Sequence, residues 1–276
     1  MKRCYLLGYP VEHSMSGVMH NAAFRHMGLD MEYTLVPVTP SDLGRFTREE
    51  LTREDVAGAN VTIPHKVAVM SLMDEVDGEA KEIGAVNTIV NEGGHLHGYN
   101  TDGAGAAKAL REAYGPLEGT RVLLLGAGGA ARALVHYLAR EAESLVILNR
   151  DPLKARLLAD RAQGRGAVIT CGGLDQIDAR DADILVNSTP VGMFPNSGTS
   201  PVDPGCLHDD LLVFDLVYNP VKTRLLEDAE RAGARTLSGV SMLVYQGAEA
   251  FRLWTGLGAP TEVMREAVLA ELGASH

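Results

Sequence analysis

At 276 residues and 46% hydrophobic composition, the chain is long enough that two domains are expected, and none of its apolar runs approaches the roughly 18 residues of a membrane span. Its formal net charge of −11, with no Lys/Arg cluster, argues against nucleic acid as the main partner. Cys4, Cys171 and Cys206 lack any pairing or metal spacing, and the N-terminus turns polar at once with no signal peptide, which predicts buried thiols in a reducing cytoplasm.

Strand-like and helix-like patches alternate over the first hundred residues. Tyr5-Leu6-Leu7 reads as a strand, 18–27 as a helix, and 31–38 and 55–61 as two further strands. Residues 85–90 and 95–100 flank Asn91-Glu92-Gly93-Gly94 and predict a hairpin. Thr101 or Asp102 is placed to cap an alanine-rich helix over 104–113, expected to bridge two domains. A fully apolar strand at 121–125 then runs into Gly126-Ala127-Gly128-Gly129-Ala130-Ala131, followed by a helix over 132–140 and an apolar strand over 144–148. Further strands are expected at 168–170, 184–187, 212–217 and 235–237, and helices at 242–255 and 261–272. The predicted fold is α/β: a mixed α/β substrate-binding domain over 1–103, then a doubly wound Rossmann-type domain over 104–239. The helices of about 240–276 should pack back on the first domain, making an interdomain cleft that closes on its ligands.

The stretch from 121 to 150 carries most of the chemistry. Its first βα turn reads G-x-G-x-x-A in the strand–turn–helix setting that a dinucleotide fingerprint needs. Gly126 permits the tight turn, Gly128 leaves room for a pyrophosphate, and Ala131 lets helix and strand pack closely. The helix N-terminus offers free N–H groups to the phosphates. Where NAD enzymes usually carry an acid for the ribose 2′-OH, this chain has Arg150, which suits a 2′-phosphate, so the cofactor reads as NADP. In the first domain, Ser14 and Ser16 follow the first strand. They either cap a helix or hold a substrate carboxylate. Lys66 is the most prominent cation, and Asp102 stands where a carboxylate could hold a lysine head. No metal is required, and the nine histidines include no H-x-x-x-H pair among acids. His13 and His65 read as supporting or surface residues.

Six ordered motifs give the chain a specific resemblance. They are Gly8…His13-Ser14-Met15-Ser16…His20-Asn21, Asn60-Val61-Thr62-Ile63-Pro64-His65-Lys66, Gly84-Ala85-Val86-Asn87-Thr88, Gly98-Tyr99-Asn100-Thr101-Asp102-Gly103, the Gly126 loop with Asn149-Arg150, and Tyr245-Gln246-Gly247-Ala248 with Phe251. From Leu6 to Phe251 the chain resembles the shikimate dehydrogenase family. That resemblance implies NADPH-linked reduction of 3-dehydroshikimate to shikimate in aromatic amino-acid biosynthesis. It implies that Ser14, Ser16 and Tyr218 bind the substrate carboxylate. Thr62, Lys66, Asn87, Asp102 and Gln246 would bind the ring hydroxyls, with Lys66 and Asp102 as the catalytic pair. Gly126, Ala127, Gly128, Gly129, Ala130, Asn149, Arg150, Asp151, Lys154, Leu216 and Gly239 would line the cofactor.

Two positions depart from the family pattern. Gly17 stands where a proline is common. Asp151 stands where Thr or Ser is common, and it either opposes a 2′-phosphate and permits NAD, or caps the helix that Pro152 begins. A quinate/shikimate dehydrogenase with NAD or dual cofactor use is therefore one alternative. A methylenetetrahydrofolate dehydrogenase is disfavoured by His13-Ser14-Met15-Ser16, and a non-catalytic NADP-binding regulator by the presence of both Lys66 and Asp102. A small-molecule enzyme of this kind works as a monomer or homodimer.

Overall fold

The computed structural model describes residues 1–274 and divides into two units, one of residues 1–105 with 244 onward, the other of residues 106–243. The first unit is built on a six-stranded sheet. Strand β1 (Lys2–Gly8) lies between β2 (Met31–Pro37) and β3 (Val56–Val61), all parallel, with α1 (Ser16–His26) and α2 (Leu43–Glu49) as the crossovers. After β4 (Glu75–Val76) and α3 (Gly78–Ile83) come β5 (Thr88–Glu92) and β6 (His95–Tyr99), an antiparallel pair that joins β3 on one side and β4 on the other. Leu7, Ala59, Val61, Ile89 and Leu96 pack one core with Leu43, Leu51 and Val69.

The expected hairpin is present with a different register. Pairing runs to Glu92 opposite His95, so only Gly93 and Gly94 make the turn, both at positive φ, as a tight two-residue connection needs. Val86 leaves the ladder because its N–H donates to the Lys66 carbonyl. The two expected strands at 31–38 and 55–61 each lose an end residue. Helices α2 and α3 and strand β4 have no counterpart in the sequence patterning, since seven, six and two residues are too short to display a period.

Helix α1 seats two polar residues. Asn21 locks β2 by donating to the Tyr33 carbonyl and accepting from its N–H, both at 2.8 Å. His20 is fully buried, with no hydrogen-bond partner on either nitrogen among the described residues, and burial pushes its pKa down to about 3. It serves as a neutral ring, stacked on Tyr33 at 4.6 Å and tilted against Trp254.

Helix α4 (Asp102–Tyr114) carries the chain into the second unit. There β7 (Arg121–Leu125), α5 (Gly129–Glu141), β8 (Ser144–Leu148), α6 (Pro152–Ala162) and β9 (Val168–Gly172) form one half. Strands β10 (Ile184–Asn187) and β11 (Leu212–Asp215), helix α7 (Arg224–Arg231) and strand β12 (Arg235–Ser238) form the other. The sheet is parallel throughout, in the order β12-β11-β10-β7-β8-β9, so the winding reverses between β7 and β10. Leu123, Leu124, Leu125, Leu185, Val186 and Val213 are buried because helices cover both faces, which is why these strands read as continuous apolar runs. The chain returns to the first unit within α8 (Gly239–Thr255) and ends its described part in α9 (Thr261–Ala274), which packs on α1. Helix α8 starts three residues before the sequence patterning suggests, and α9 starts where expected. Among the described residues no helix is long and apolar enough to cross a membrane.

Candidate active site

Loops leaving the C-terminal ends of β1 and β3 meet in the first unit, the end at which a parallel sheet presents its ligands. The β1 loop holds Ser14 and Ser16, whose hydroxyl oxygens are 3.2 Å apart. Ser16 is the first helical residue and Met15 the cap, with no side-chain capping bond, so the expectation that Ser16 caps α1 is not met. Ser14 Oγ instead accepts from the Ser16 N–H at 3.3 Å.

The β3 loop is pinned at three points. Thr62 N–H donates to the Leu7 carbonyl, His65 N–H to the Thr62 carbonyl, and the His65 ring meets the Val38 carbonyl at 2.6 Å. His65 is 1% exposed, so of the two placements expected for it the surface one is wrong: it is an internal latch. It sits next to Lys66 and fixes where that lysine begins. The Lys66 ammonium then donates to Oδ2 of Asp102 at 2.6 Å, with side-chain exposures of 17% and 6%. Asp102 opens α4, and its other oxygen accepts from Asn87 Nδ2 at 2.9 Å. Gln246, on α8, lies 3.4 Å from the same amide nitrogen. Lys66, Asn87, Asp102 and Gln246 thus come together from four separate segments. Thr62 and the two serines make no hydrogen bond to this group among the described residues.

Thr101 is a possible cap for α4 by its position in the sequence, yet its hydroxyl accepts from Asn87 Nδ2 at 3.0 Å, and the Gly103 N–H finds Asn100 Oδ1 at 3.4 Å. Sequence patterning does not reveal what orients Asn87. Its side-chain oxygen accepts from the Thr101 N–H and the Thr88 hydroxyl. Thr88 accepts from Asn60 Nδ2, and Asn60 Oδ1 accepts from the Tyr33 hydroxyl. These side chains are buried or nearly so, so each unmade bond would cost about 1–3 kcal/mol.

In the second unit the phosphate-type loop follows β7. Gly126 has φ of +110°, and a Cβ there would fall 2.4 Å from Ser188 Oγ, so only glycine fits. At Gly128, the residue before α5, a Cβ would meet nothing within 4 Å, so the space above the helix N-terminus is open. Ala127, Gly129 and Ala130 complete the turn. At the end of β8, Asn149 Nδ2 donates to the Asp151 carbonyl at 3.0 Å, and Asp151 caps α6 by accepting from the Leu153 N–H at 3.1 Å. Arg150 and Lys154 are exposed, and neither makes an ion pair among the described residues. This set fits a dinucleotide with a 2′-phosphate: an open glycine cradle at a helix start, and two uncommitted cations one strand away. Arg132, in the first turns of α5, is a cation that the sequence does not single out. Burial, then the nearby Arg161, hold it below the usual arginine range.

Beyond β11, Gly239 comes so close to Leu216 that a Cβ would lie 2.2 Å from the Leu216 carbonyl oxygen. This loop, which also carries Tyr218, is tied down by Asp215. The Asp215 carboxylate accepts from the Thr223 hydroxyl at 2.6 Å, the Val217 N–H at 3.0 Å and Asn187 at 2.9 Å. Burial nevertheless raises its pKa to about 6, outweighing the three donors.

Comparison with known proteins follows this division. Residues 6–89 match a family model described as the shikimate dehydrogenase substrate binding domain, 108–194 one for shikimate / quinate 5-dehydrogenase, and 239–269 one for the shikimate 5′-dehydrogenase C-terminal domain. A shikimate dehydrogenase (NADP(+)) of Methanopyrus kandleri is 52% identical over 275 residues, covering 97% of this chain and 94% of its own. A crystal structure of a shikimate dehydrogenase in complex with NADP+ superposes with a TM-score of 0.94 at 42% identity, covering 99% and 96% of the two chains. That of a shikimate 5-dehydrogenase from Thermus thermophilus, with NADP(H) and shikimate, gives 0.89 at 37% identity, covering 98% and 99%.

Proposed function

The chain belongs to the shikimate dehydrogenase family, and we propose that it performs the NADP-dependent interconversion of 3-dehydroshikimate and shikimate with Lys66 and Asp102 as its catalytic pair. The observation that carries the assignment of roles is the nearly buried ion pair at 2.6 Å, held on its far side by Asn87. NADPH, when bound, supplies the hydride for the substrate's C3 carbonyl. As charge grows on that oxygen, the Lys66 ammonium stabilises it and donates the proton. Asp102 keeps the lysine head aimed, and a burial this deep strengthens the interaction by excluding water.

Ser14 and Ser16 present two adjacent hydroxyls suited to the ring carboxylate, with Tyr218 as a third donor. Thr62, Asn87 and Gln246 take the ring hydroxyls. A pocket of committed donors rejects analogues lacking a hydroxyl by roughly 1–3 kcal/mol for each group left unpaired. Gly126, Ala127, Gly128, Gly129 and Ala130 would hold the pyrophosphate. Asn149, Arg150 and Lys154 would hold the 2′-phosphate side, with Asp151 lining it while capping α6, and Leu216 and Gly239 would line the nicotinamide. Three free cysteines fit a reducing cytoplasm, and the enzyme would act as a monomer or homodimer on these small molecules.

Initial rates with shikimate and with quinate, each with NADP+ and with NAD+, test the proposal. The expected order puts shikimate with NADP+ first. Equal rates with NAD+ would make it a dual-cofactor enzyme, and NADP+ binding without turnover of either acid would make it a regulator.

A further inference from the structure

On a helix two histidines that share a face stand three or four apart, but on a strand they stand two apart, and β6 begins His95-Leu96-His97. The register adds acids on the same face. Glu75 of β4 is the parallel partner of His97, and Glu92 of β5 is the antiparallel partner of His95. The His97 Nδ1 lies 3.7 Å from Glu75 Oε2 and its Nε2 3.8 Å from Glu92 Oε2, while the His95 Nδ1 lies 3.7 Å from Asp74 Oδ2. The two rings meet edge to face at 4.7 Å. One ligand atom each from Glu75, His95 and His97 falls within 4.8 Å of the others. Ligand atoms bound tetrahedrally to one zinc ion at about 2.0–2.2 Å stand roughly 3.3–3.6 Å apart, so side-chain rotations of about an ångström close the set.

We infer that this face of the sheet edge is a divalent transition-metal site, in which His95, His97 and Glu75 bind a Zn2+-class cation, with water in the fourth position. Two imidazoles with a carboxylate favour zinc and its neighbours over magnesium, and the surrounding acids Asp74 and Glu92 add attraction for a cation. The ion would have a structural task. Strand β4 is two residues long and forms the outer edge of the sheet, hydrogen-bonded to β6 alone. A metal shared by Glu75 and the two histidines cross-links that short strand to its neighbour. The site lies toward the turn end of the β5–β6 hairpin, whereas Asn87 and Asp102 lie at the opposite end, so it stands apart from the catalytic group.

Calorimetric titration of the EDTA-stripped full chain with Zn2+ at neutral pH, paired with thermal unfolding, tests the site. One zinc ion per chain and a raised Tm are expected, with Mg2+ giving neither. Losing even a supporting partner of a metal ligand costs about 10–100-fold in affinity, so His95→Ala and His97→Ala should each weaken zinc binding at least about tenfold and remove the Tm rise. Glu75→Gln, at a side chain 64% exposed, gives a second reading should a histidine variant fail to fold. Zinc affinity unchanged in all three variants, or lost on His208→Ala in the His208-Asp209-Asp210 cluster instead, would overturn the inference.

Discussion

Asn87 Nδ2 stands 2.9 Å from Oδ1 of Asp102, while Lys66 occupies Oδ2 at 2.6 Å. The carboxylate is therefore divided between an amide that fixes it and a cation that pairs with it. The arrangement holds only while the Asn87 amide keeps its nitrogen toward Asp102. Tyr33, Asn60 and Thr88 enforce this by a one-way series of donors that ends on the Asn87 oxygen. Successive bonds in such a series polarise one another.

Removing one link should therefore be felt at the lysine. Thr88→Val keeps the shape and deletes the donor to Asn87. It is expected to lower kcat about tenfold, corresponding to roughly 1.4 kcal/mol. Thr88→Ser should restore most of the rate. If steady-state kinetics show the serine variant as impaired as the valine one, the methyl group and its packing matter, and the hydroxyl does not.

Lys66→Ala should lose turnover by about 100-fold or more, with the KM for shikimate changing less, since a proton donor acts mainly in the transition state. Asp102 keeps its hydrogen bond from Asn87 in this variant, so the chain should still fold. Near-normal kcat in a folded Lys66→Ala protein would remove Lys66 from the mechanism.

At the cofactor, Arg150→Ala should raise the KM for NADP+ strongly and leave NAD+ use nearly unchanged. Asp151→Ser tests the neighbouring carboxylate. Serine keeps the α6 cap and takes away a negative charge, so the KM for NADP+ should fall. Equal losses with both cofactors in Arg150→Ala would show that the guanidinium packs on the adenine and does not read the phosphate.

Asp215 makes a prediction about pH and stability. Its folded pKa of about 6 lies above the ordinary 3.8, so between these values the folded state holds more protons than the unfolded state. Its contribution is thus fully favourable below about pH 4 and is lost as the pH rises through 6. Two pH units correspond to about 3 kcal/mol. The stability of Asp215→Asn relative to the parent should therefore rise between pH 4 and pH 7, measured by urea unfolding. A difference that stays flat across that window would show Asp215 titrating as in the unfolded chain.

How much is legible in the sequence varies by unit. Strands β7, β8 and β10 can be read to the residue, because a parallel strand covered on both faces is a bare apolar run between polar ends. The hairpin is expected from Ala85 but its ladder begins at Thr88, since Ala85, Val86 and Asn87 are as apolar or compact as a strand and only their partners tell them apart: Ala85 N–H donates to the Ala80 carbonyl and Val86 N–H to the Lys66 carbonyl. Cys171 and Cys206 are half-buried and only Cys4 is enclosed as expected. The donor series through Tyr33, Asn60 and Thr88 has no sequence signal, because its members lie on three strands and meet only through the sheet. Asp215 and Arg132 are invisible for a related reason: nothing in a neighbouring residue reveals how much protein will surround a charge.

The first unit is interrupted in the chain, and that sets an order of events during synthesis. The strands of the second unit are consecutive, so once residue 243 has left the ribosome all of them are present. The first unit must wait. Gln246, which reaches Asn87 across 159 residues of sequence, and Trp254, whose ring N–H donates to the Ile89 carbonyl at 2.9 Å, are translated long after those partners, as is α9, which covers α1. A nascent chain can therefore hold a finished nucleotide-type sheet while the group around Asn87 is still unassembled, and that group is completed only with the last helices.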